Sequence, residues 1–384
     1  MSAPVAFYAP LKPPGHPTPS GDRRMARALL AALAVAGQPV ELASRLRSYD
    51  RDGDLPRQRR IEALGERVAG RLLQRYRARP PRAWLTYHAY HKSPDWLGPA
   101  VADALRIPYL IAEASFAPKQ AEGPWALGHA ASARALRRAD LVLVMTPRDA
   151  ECLAPLLEPP AELRSLPPFL DPAPFRAARA ARTRHRAEIA RRFGLDPGQT
   201  WLLAVAMMRP DVKRQSYLLL SEALGRLGGE PWQLLVVGDG PARAEIEAAL
   251  EQSAPGRVRF AGRLAEDALP AFYAAADLLV WPALREAYGL AMLEAQAAGL
   301  AVVAGREGGV AAVVQDGITG ILTAPRDPAA FAAATGELLR APLRRAAMGD
   351  AAARFVARER SLAQAAATLE DALAAAAAIR AARR

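Results

Sequence analysis

The feature that most limits what this chain can become is a repeating rhythm in its second half. Short apolar runs of strand length, at 201–207, 233–237, 258–260, 278–281 and 301–304, alternate with stretches of helical period at 216–227, from 242, at 269–275 and at 290–298. Such alternation calls for parallel strands, because each return passes through a helix that covers a face of the sheet. Glycine and proline punctuate the run ends: Gly238-Asp239-Gly240-Pro241, Gly262, Pro282, Gly305 and Gly308-Gly309. The first half repeats the rhythm more loosely, with strands expected at 5–8, 40–42, 84–87, 109–112 and 141–145 and helices at 25–36, 58–77 and 97–105. A proline-rich stretch, 155–174, separates the halves, and the basic segment 175–192 follows as linker and first helix. The pattern predicts an α/β chain of two Rossmann-like, doubly wound parallel-sheet domains, 1–174 and 175–354, facing across a cleft. An Ala-rich C-terminal helix over 355–384 can cross back to the first domain. Ligands of doubly wound sheets bind outside the carboxyl ends of the strands, which is where the cleft is expected.

Composition narrows the classes. A chain of 384 residues is too long for one ordinary core and suits two. Its 51% hydrophobic content excludes a disordered chain. A single cysteine, Cys152, leaves no disulfide framework or thiolate metal cluster, which fits a reducing compartment. Residues 5–8 read as a first strand and not as a leader, and no apolar run reaches the roughly 20 residues that cross a bilayer. The expectation is a cytoplasmic protein, with room for peripheral contact at the inner face of a membrane.

The formal charge of +12 is unevenly placed. Residues 1–192 hold 31 Lys+Arg against 18 Asp+Glu, whereas residues 193–384 hold 20 against 21. Nine arginines fall within 57–82, and Ile61, Leu64, Val68 and Leu72 form an apolar stripe flanked by Arg60, Arg67, Arg71 and Arg75. Two readings stay open: a surface helix packed on its own sheet, or a face for an anionic membrane or an anionic, lipid-linked acceptor. Nucleic acid is not expected, because the basic run lacks interleaved aromatics.

The sharpest local signal lies at 282–304. A strand ends at Pro282, a loop presents Glu286, Gly289 opens a helix that carries Glu294, and Gly299 closes it. An anion can approach the backbone N–H groups of Tyr288, Gly289 and Leu290, helped by the helix dipole. Carboxylates beside such an anion suit hydrogen bonds from sugar hydroxyls.

This segment resembles the E-x7-E signature of the retaining GT-B glycosyltransferases of family 4, also called glycosyl transferases group 1. Four further stretches agree in order: Val236-Val237-Gly238-Asp239-Gly240-Pro241, Val258–Gly262, Leu269-Pro270 through Asp277, and Gly308-Gly309-Val310 followed by Asp316-Gly317 and Thr319-Gly320. The resemblance implies the GT-B fold, a nucleotide-sugar donor of the UDP or GDP type and transfer with retention. It implies that Glu286 faces the donor sugar, that Glu294 accepts from the ribose, and that Gly238 and Gly262 belong to donor-binding turns. It also implies an Arg and a Lys at the loop after the first strand of the second half, which matches Arg209 and Lys213. Cations there neutralise the leaving diphosphate. In the first half, Gly21 follows Pro19-Ser20 where the family has a glycine loop, and it reads equally as part of an N-cap turn. His88 or His91 stands where relatives hold a sugar-contacting histidine.

Three departures stand out: Met208 in place of a glycine, a slightly compressed Arg–Lys spacing, and Ala312 where the pattern has an acid. No His/Cys/Asp cluster of metal-ligand spacing appears and no Asp-x-Asp pair lies at a strand end, so no metal or other cofactor is expected. A sugar-nucleotide epimerase, a phosphorylase or a non-catalytic nucleotide-sugar-binding subunit remain as alternatives.

Overall fold

The computed structural model describes residues 3–18, 20–159 and 161–383. Pro19 of the Ser20-Gly21 turn, Pro160 of the proline-rich stretch and the terminal Arg384 therefore lie outside the described residues. The chain divides into two compact units, Met1–Phe169 with Leu362–Arg384, and Leu170–Ser361.

The first unit runs β1 (Val5–Tyr8), α1 (Gly21–Val35), β2 (Val40–Ser44), α2 (Leu55–Tyr76), β3 (Ala83–Ala89), α3 (Gly98–Leu105), β4 (Tyr109–Ala114), α4 (Ala126–Arg138), β5 (Leu141–Val144), α5 (Pro147–Leu153) and β6 (Glu162–Ser165). Its sheet is parallel throughout, in the order β2-β1-β3-β4-β5-β6. Every residue of β1, β4 and β5 is buried, as expected of strands covered on both faces. Strand β6 falls inside the proline-rich stretch that reads as a boundary in the sequence. It is an exposed edge strand, Glu-Leu-Arg-Ser, with no apolar run to announce it.

The second unit continues with α6 (Ala173–Ala180), α7 (Arg182–Phe193), β7 (Thr200–Val205), α8 (Val212–Gly225), β8 (Trp232–Val237), α9 (Arg243–Ser253), β9 (Val258–Gly262), α10 (Leu269–Ala275), β10 (Leu278–Trp281), α11 (Leu290–Ala297), β11 (Ala301–Gly305), β12 (Gly320–Thr323), α12 (Pro328–Arg340) and α13 (Pro342–Glu359). The strand order β12-β11-β10-β7-β8-β9 is again parallel. Renumbered within the unit this is the 3-2-1-4-5-6 order of dinucleotide-binding sheets. Asp277, which closes the Leu269–Asp277 motif, is a structural tie. Its Oδ2 accepts from the Trp201 amide (2.7 Å) and from Arg186 (3.0 Å), so α7 is pinned to the roots of β7 and β10.

The chain ends in α14 (Leu362–Ala382), and the segment read as one helix from 355 is the last turn of α13 followed by α14. Contrary to the sequence expectation, α14 is long and apolar enough, by length and composition, to cross a membrane. Alanine raises the mean hydropathy without a long run of large side chains. Leu369, Leu373 and Ile379 are buried, and the helix packs on α1, β4 and β5. Arg383 beyond it donates to the carbonyls of Arg138 (3.1 Å) and Ala139 (3.3 Å) at the end of α4. Helix α2 settles most of its stripe in the same way: Leu72 is buried, Ile61 and Val68 are half-buried, and the helix packs on α3 and α4, while Leu64 and the flanking arginines stay exposed.

Candidate functional site

In an open parallel sheet the loops part at the point where strand order reverses, and a crevice forms there. In the second unit that point lies between β7 and β10; the loops leaving these strands carry Arg209 and Glu286, and Lys213 stands on the first turn of α8. Asp211 is the N-cap of α8. Its Oδ1 accepts from the Lys213 amide (2.9 Å), and its Oδ2 lies 3.3 Å from Arg209 Nε, so one carboxylate orders both cations. Arg209 is half exposed. Lys213 is not: its ammonium pairs with Glu286 Oε2, with the two side chains only 19% and 18% exposed. At that burial, an ion pair left with one partner is costly, so the two groups hold each other in place. Trp281 supports both, donating its indole N–H to Glu286 Oε2 (3.3 Å) while its ring lies 5.5 Å from Lys213 Nζ. Arg214 points elsewhere and forms an exposed pair with Glu245.

The loop that offers Glu286 is tight. Ala283 (φ 57°) and Arg285 (φ 47°) are both left-handed, at a cost of order 1–3 kcal/mol each. The buried Ser216 hydroxyl of α8 accepts from the Leu284 amide (3.2 Å), and the Gly309 amide donates to the Glu286 carbonyl (3.2 Å). A Cβ on Gly308 would stand 1.9 Å from that carbonyl oxygen, so only glycine lets the β11 loop lie against Glu286. Gly289 is the N-cap of α11 and offers no side-chain cap to the amides that begin with Leu290, beside the largely buried Tyr288. Glu294, one turn further, is buried, and Tyr273 donates to its Oε2 (2.8 Å). The structure thus joins Glu286 to Lys213, whereas Glu294 is joined to Tyr273.

Gly238 ends β8 and donates its amide to the Gly262 carbonyl at the end of β9 (2.9 Å). Met208, where a glycine is expected, is buried, its amide donating to Asp239 and its carbonyl accepting from Ala242 (3.0 Å each). The substitution is accommodated because the side chain turns into the core and leaves the backbone lacing intact. Ala312 lies on a short helical turn, and the nearest acid before it in sequence, Glu307, precedes Gly308 directly. Its Oε1 is 3.5 Å from Arg326, and its Oε2 is buried with no hydrogen-bond partner.

In the first unit the reversal lies between β1 and β3. Gly21 is the first residue of α1 and Ser20 is its N-cap, accepting from the Arg23 amide (3.2 Å), so the turn takes the capping form. His88 lies at the end of β3 and His91 just beyond it, and they have opposite surroundings. His88 Nδ1 lies 3.1 Å from Asp22 Oδ1 and 3.4 Å from Glu113 Oε1. Burial works against charge on this ring, but the two carboxylates prevail and raise its pKa to about 9. His91 packs edge-on to Tyr90 and Trp125, and burial, with Lys92 beside it, lowers its pKa to about 4. Glu113, Tyr273, Trp281 and Glu307 are not legible as site residues in the sequence, and Asp22 is legible there only as a possible helix cap. Tyr273 lies within the Leu269–Asp277 motif, and Trp281 ends the apolar run just before the 282–304 signature.

With this geometry in hand, likeness to known proteins is informative. The family model for glycosyl transferases group 1 matches residues 199–341. A D-inositol 3-phosphate glycosyltransferase of Salinispora arenicola is 34% identical over 192 residues, 47% of this chain and 42% of that protein. The chain thus spans less than half the length of that relative. A glycosyltransferase crystal structure from Rickettsia africae matches with a TM-score of 0.72 at 13% identity, covering 97% of this chain and 98% of the other. HepE of Anabaena, solved in complex with UDP, matches with a TM-score of 0.72 at 14% identity over 97% and 99%. The chain has the GT-B fold, and residues 199–341 of its second unit match the glycosyl transferases group 1 family.

Proposed function

We propose that this chain is a retaining glycosyltransferase that takes a hexose from a nucleoside diphosphate donor bound on the second unit. The observation that carries this reading is the Lys213–Glu286 pair, seated on Trp281 at the strand-order reversal and next to the uncapped start of α11. A diphosphate is drawn to Lys213, Arg209 and the α11 amides, which together supply the charge that a divalent cation would otherwise bring. Glu286, released from Lys213, then accepts from sugar hydroxyls, and Glu294 with Tyr273 takes the ribose. Departure of the diphosphate leaves an oxocarbenium-like centre, and the acceptor attacks on the same face. The relative's name speaks for a phosphorylated acceptor, and the basic first half of the chain suits one.

A thermal-shift panel of UDP, GDP and ADP with their sugars tests donor binding. At a hundredfold excess over Kd, one base raises stability by about 2.7 kcal/mol, and a flat panel overturns the reading. Transfer in excess EDTA, with the product anomer read by NMR, tests the rest. Undiminished turnover with the donor's configuration kept is the expected result; loss of activity or an inverted anomer refutes it. A phosphorylase would need a lysine free to carry a cofactor, and Lys213, the lysine of residues 193–384, is committed to Glu286. An epimerase would release a rearranged sugar nucleotide in the same NMR experiment.

A further inference from the structure

Three elements of the first unit converge on the His88 ring. Asp22 comes from the first turn of α1, Glu113 from the end of β4, and His88 from the end of β3. His88 and Glu113 occupy the same level of neighbouring strands, since Tyr87 pairs with Ala112 and Ala89 with Ala114 on either side of them. Both are left-handed, with φ of 57° and 56°, in strands that are otherwise extended. Two matched kinks at one level are not a packing accident, because each interrupts a ladder of buried strands. They turn the two side chains toward each other, with the His88 and Glu113 side chains 18% and 10% exposed.

The count of carboxylates decides the chemistry. One acid behind a histidine orients the ring and leaves the far nitrogen a lone pair, which makes a general base. Two acids favour a second proton, and the far nitrogen becomes a donor. We propose that Glu113, together with Asp22, is a positioning residue that keeps His88 doubly protonated, so that its Nε2–H is a standing hydrogen-bond donor to a substrate oxygen and not a base for the acceptor hydroxyl. The charge state is independent of the activity proposed above; the role toward a sugar oxygen rests on that activity.

The electrostatics agree. His88 holds its proton to about pH 9. Burial would raise the Asp22 carboxyl, and the contact with His88, aided by Lys12, brings it below its usual range. Burial lifts the Glu113 carboxyl against the pull of His88. The other groups facing the ring are Asp149 of α5, which favours the cation, and the rings of Tyr87 and Tyr90.

The test is an imidazole NMR titration of the full chain, with His88→Gln used to assign the resonance. The His88 midpoint is expected near 9. Glu113→Gln and Asp22→Asn each lower it by about one unit or more, a tenfold change in the protonation ratio, while His16 stays in place. The pH profile of turnover follows: in the wild type it falls as pH rises through about 9, and in Glu113→Gln it falls at least about one unit earlier. A wild-type midpoint below about 7, near the free imidazole value, overturns the proposal, as does a midpoint that neither variant moves. Should Glu113→Gln fail to fold, Asp22→Asn alone decides, because Asp22 lies on the first turn of a capped helix and not in the sheet.

Discussion

Glu286→Gln is expected to lower the turnover number for sugar transfer by about two to three orders of magnitude while leaving nucleotide affinity intact or improved. The amide keeps the shape of the side chain and can still accept from the Trp281 indole, so the loop should hold. What it loses is the charge that a sugar hydroxyl meets. Hydrogen bonds to a charged acceptor contribute roughly 1.5–3 kcal/mol each, and two that strengthen in the transition state amount to about 3–4 kcal/mol, at about 1.4 kcal/mol per decade of rate. The same change frees Lys213, whose ammonium then has only the diphosphate to meet, so nucleotide binding does not suffer. The split between turnover and affinity is the diagnostic part. Steady-state kinetics alongside calorimetric titration with the nucleoside diphosphate measures both. A variant that turns over like the wild type, or one whose loss lies wholly in nucleotide affinity, would remove Glu286 from the sugar's surroundings.

The second large effect concerns the backbone. At Gly238 φ is 152°, and a Cβ there would stand 1.8 Å from the Ala206 carbonyl oxygen. That oxygen already accepts from the Tyr217 hydroxyl (2.8 Å), and the Ala206 amide donates to Val237 (3.0 Å). Neither side of the contact can give way, since β7 and β8 are laced again at Met208 and Asp239. Gly238→Ala therefore costs about 3 kcal/mol or more, from left-handed strain and the clash together. For a unit of this size that lowers Tm by about 6–12 °C. The displaced loop carries Arg209 and leads into Lys213 on the first turn of α8, so the stabilisation by nucleotide should vanish with it. Melting curves with and without nucleoside diphosphate read both effects. A shift of under about 2 °C, well inside the range of ordinary surface substitutions, would show that the two strand ends are not locked together.

What could be read from the amino acids follows the physics of burial. Strands β1 and β10 and helix α10 lie where their apolar runs and flanking Gly or Pro place them, because a strand covered on both faces has little choice of residue. Strand β6 and helix α4 escaped: the first is a polar edge, and the second is a mixture of alanine, arginine and histidine without a sharp stripe. At the site, Glu286 and Glu294 were legible because strand, glycine and helix follow within a dozen residues. The contrast in charge between His88 and His91 was not. It comes from Asp22 and Glu113, which reach His88 from other elements and lie far from it in sequence. Met208 shows the reverse case, a departure from pattern that the backbone absorbs without consequence.

The placement of α14 has a bearing on biosynthesis. Met25, Leu29 and Leu33 of α1 are buried, and α14 is the neighbour that shares this side of the helix. Ribosomes add about 5–20 residues per second, so the whole of 170–361 must be translated, over roughly ten to forty seconds, before that cover arrives. During this interval the amino-terminal sheet carries α1 without its α14 partner while its successor is being made. Completion of the first unit therefore waits on the translation of the second, although most of the residues of the first are made before it.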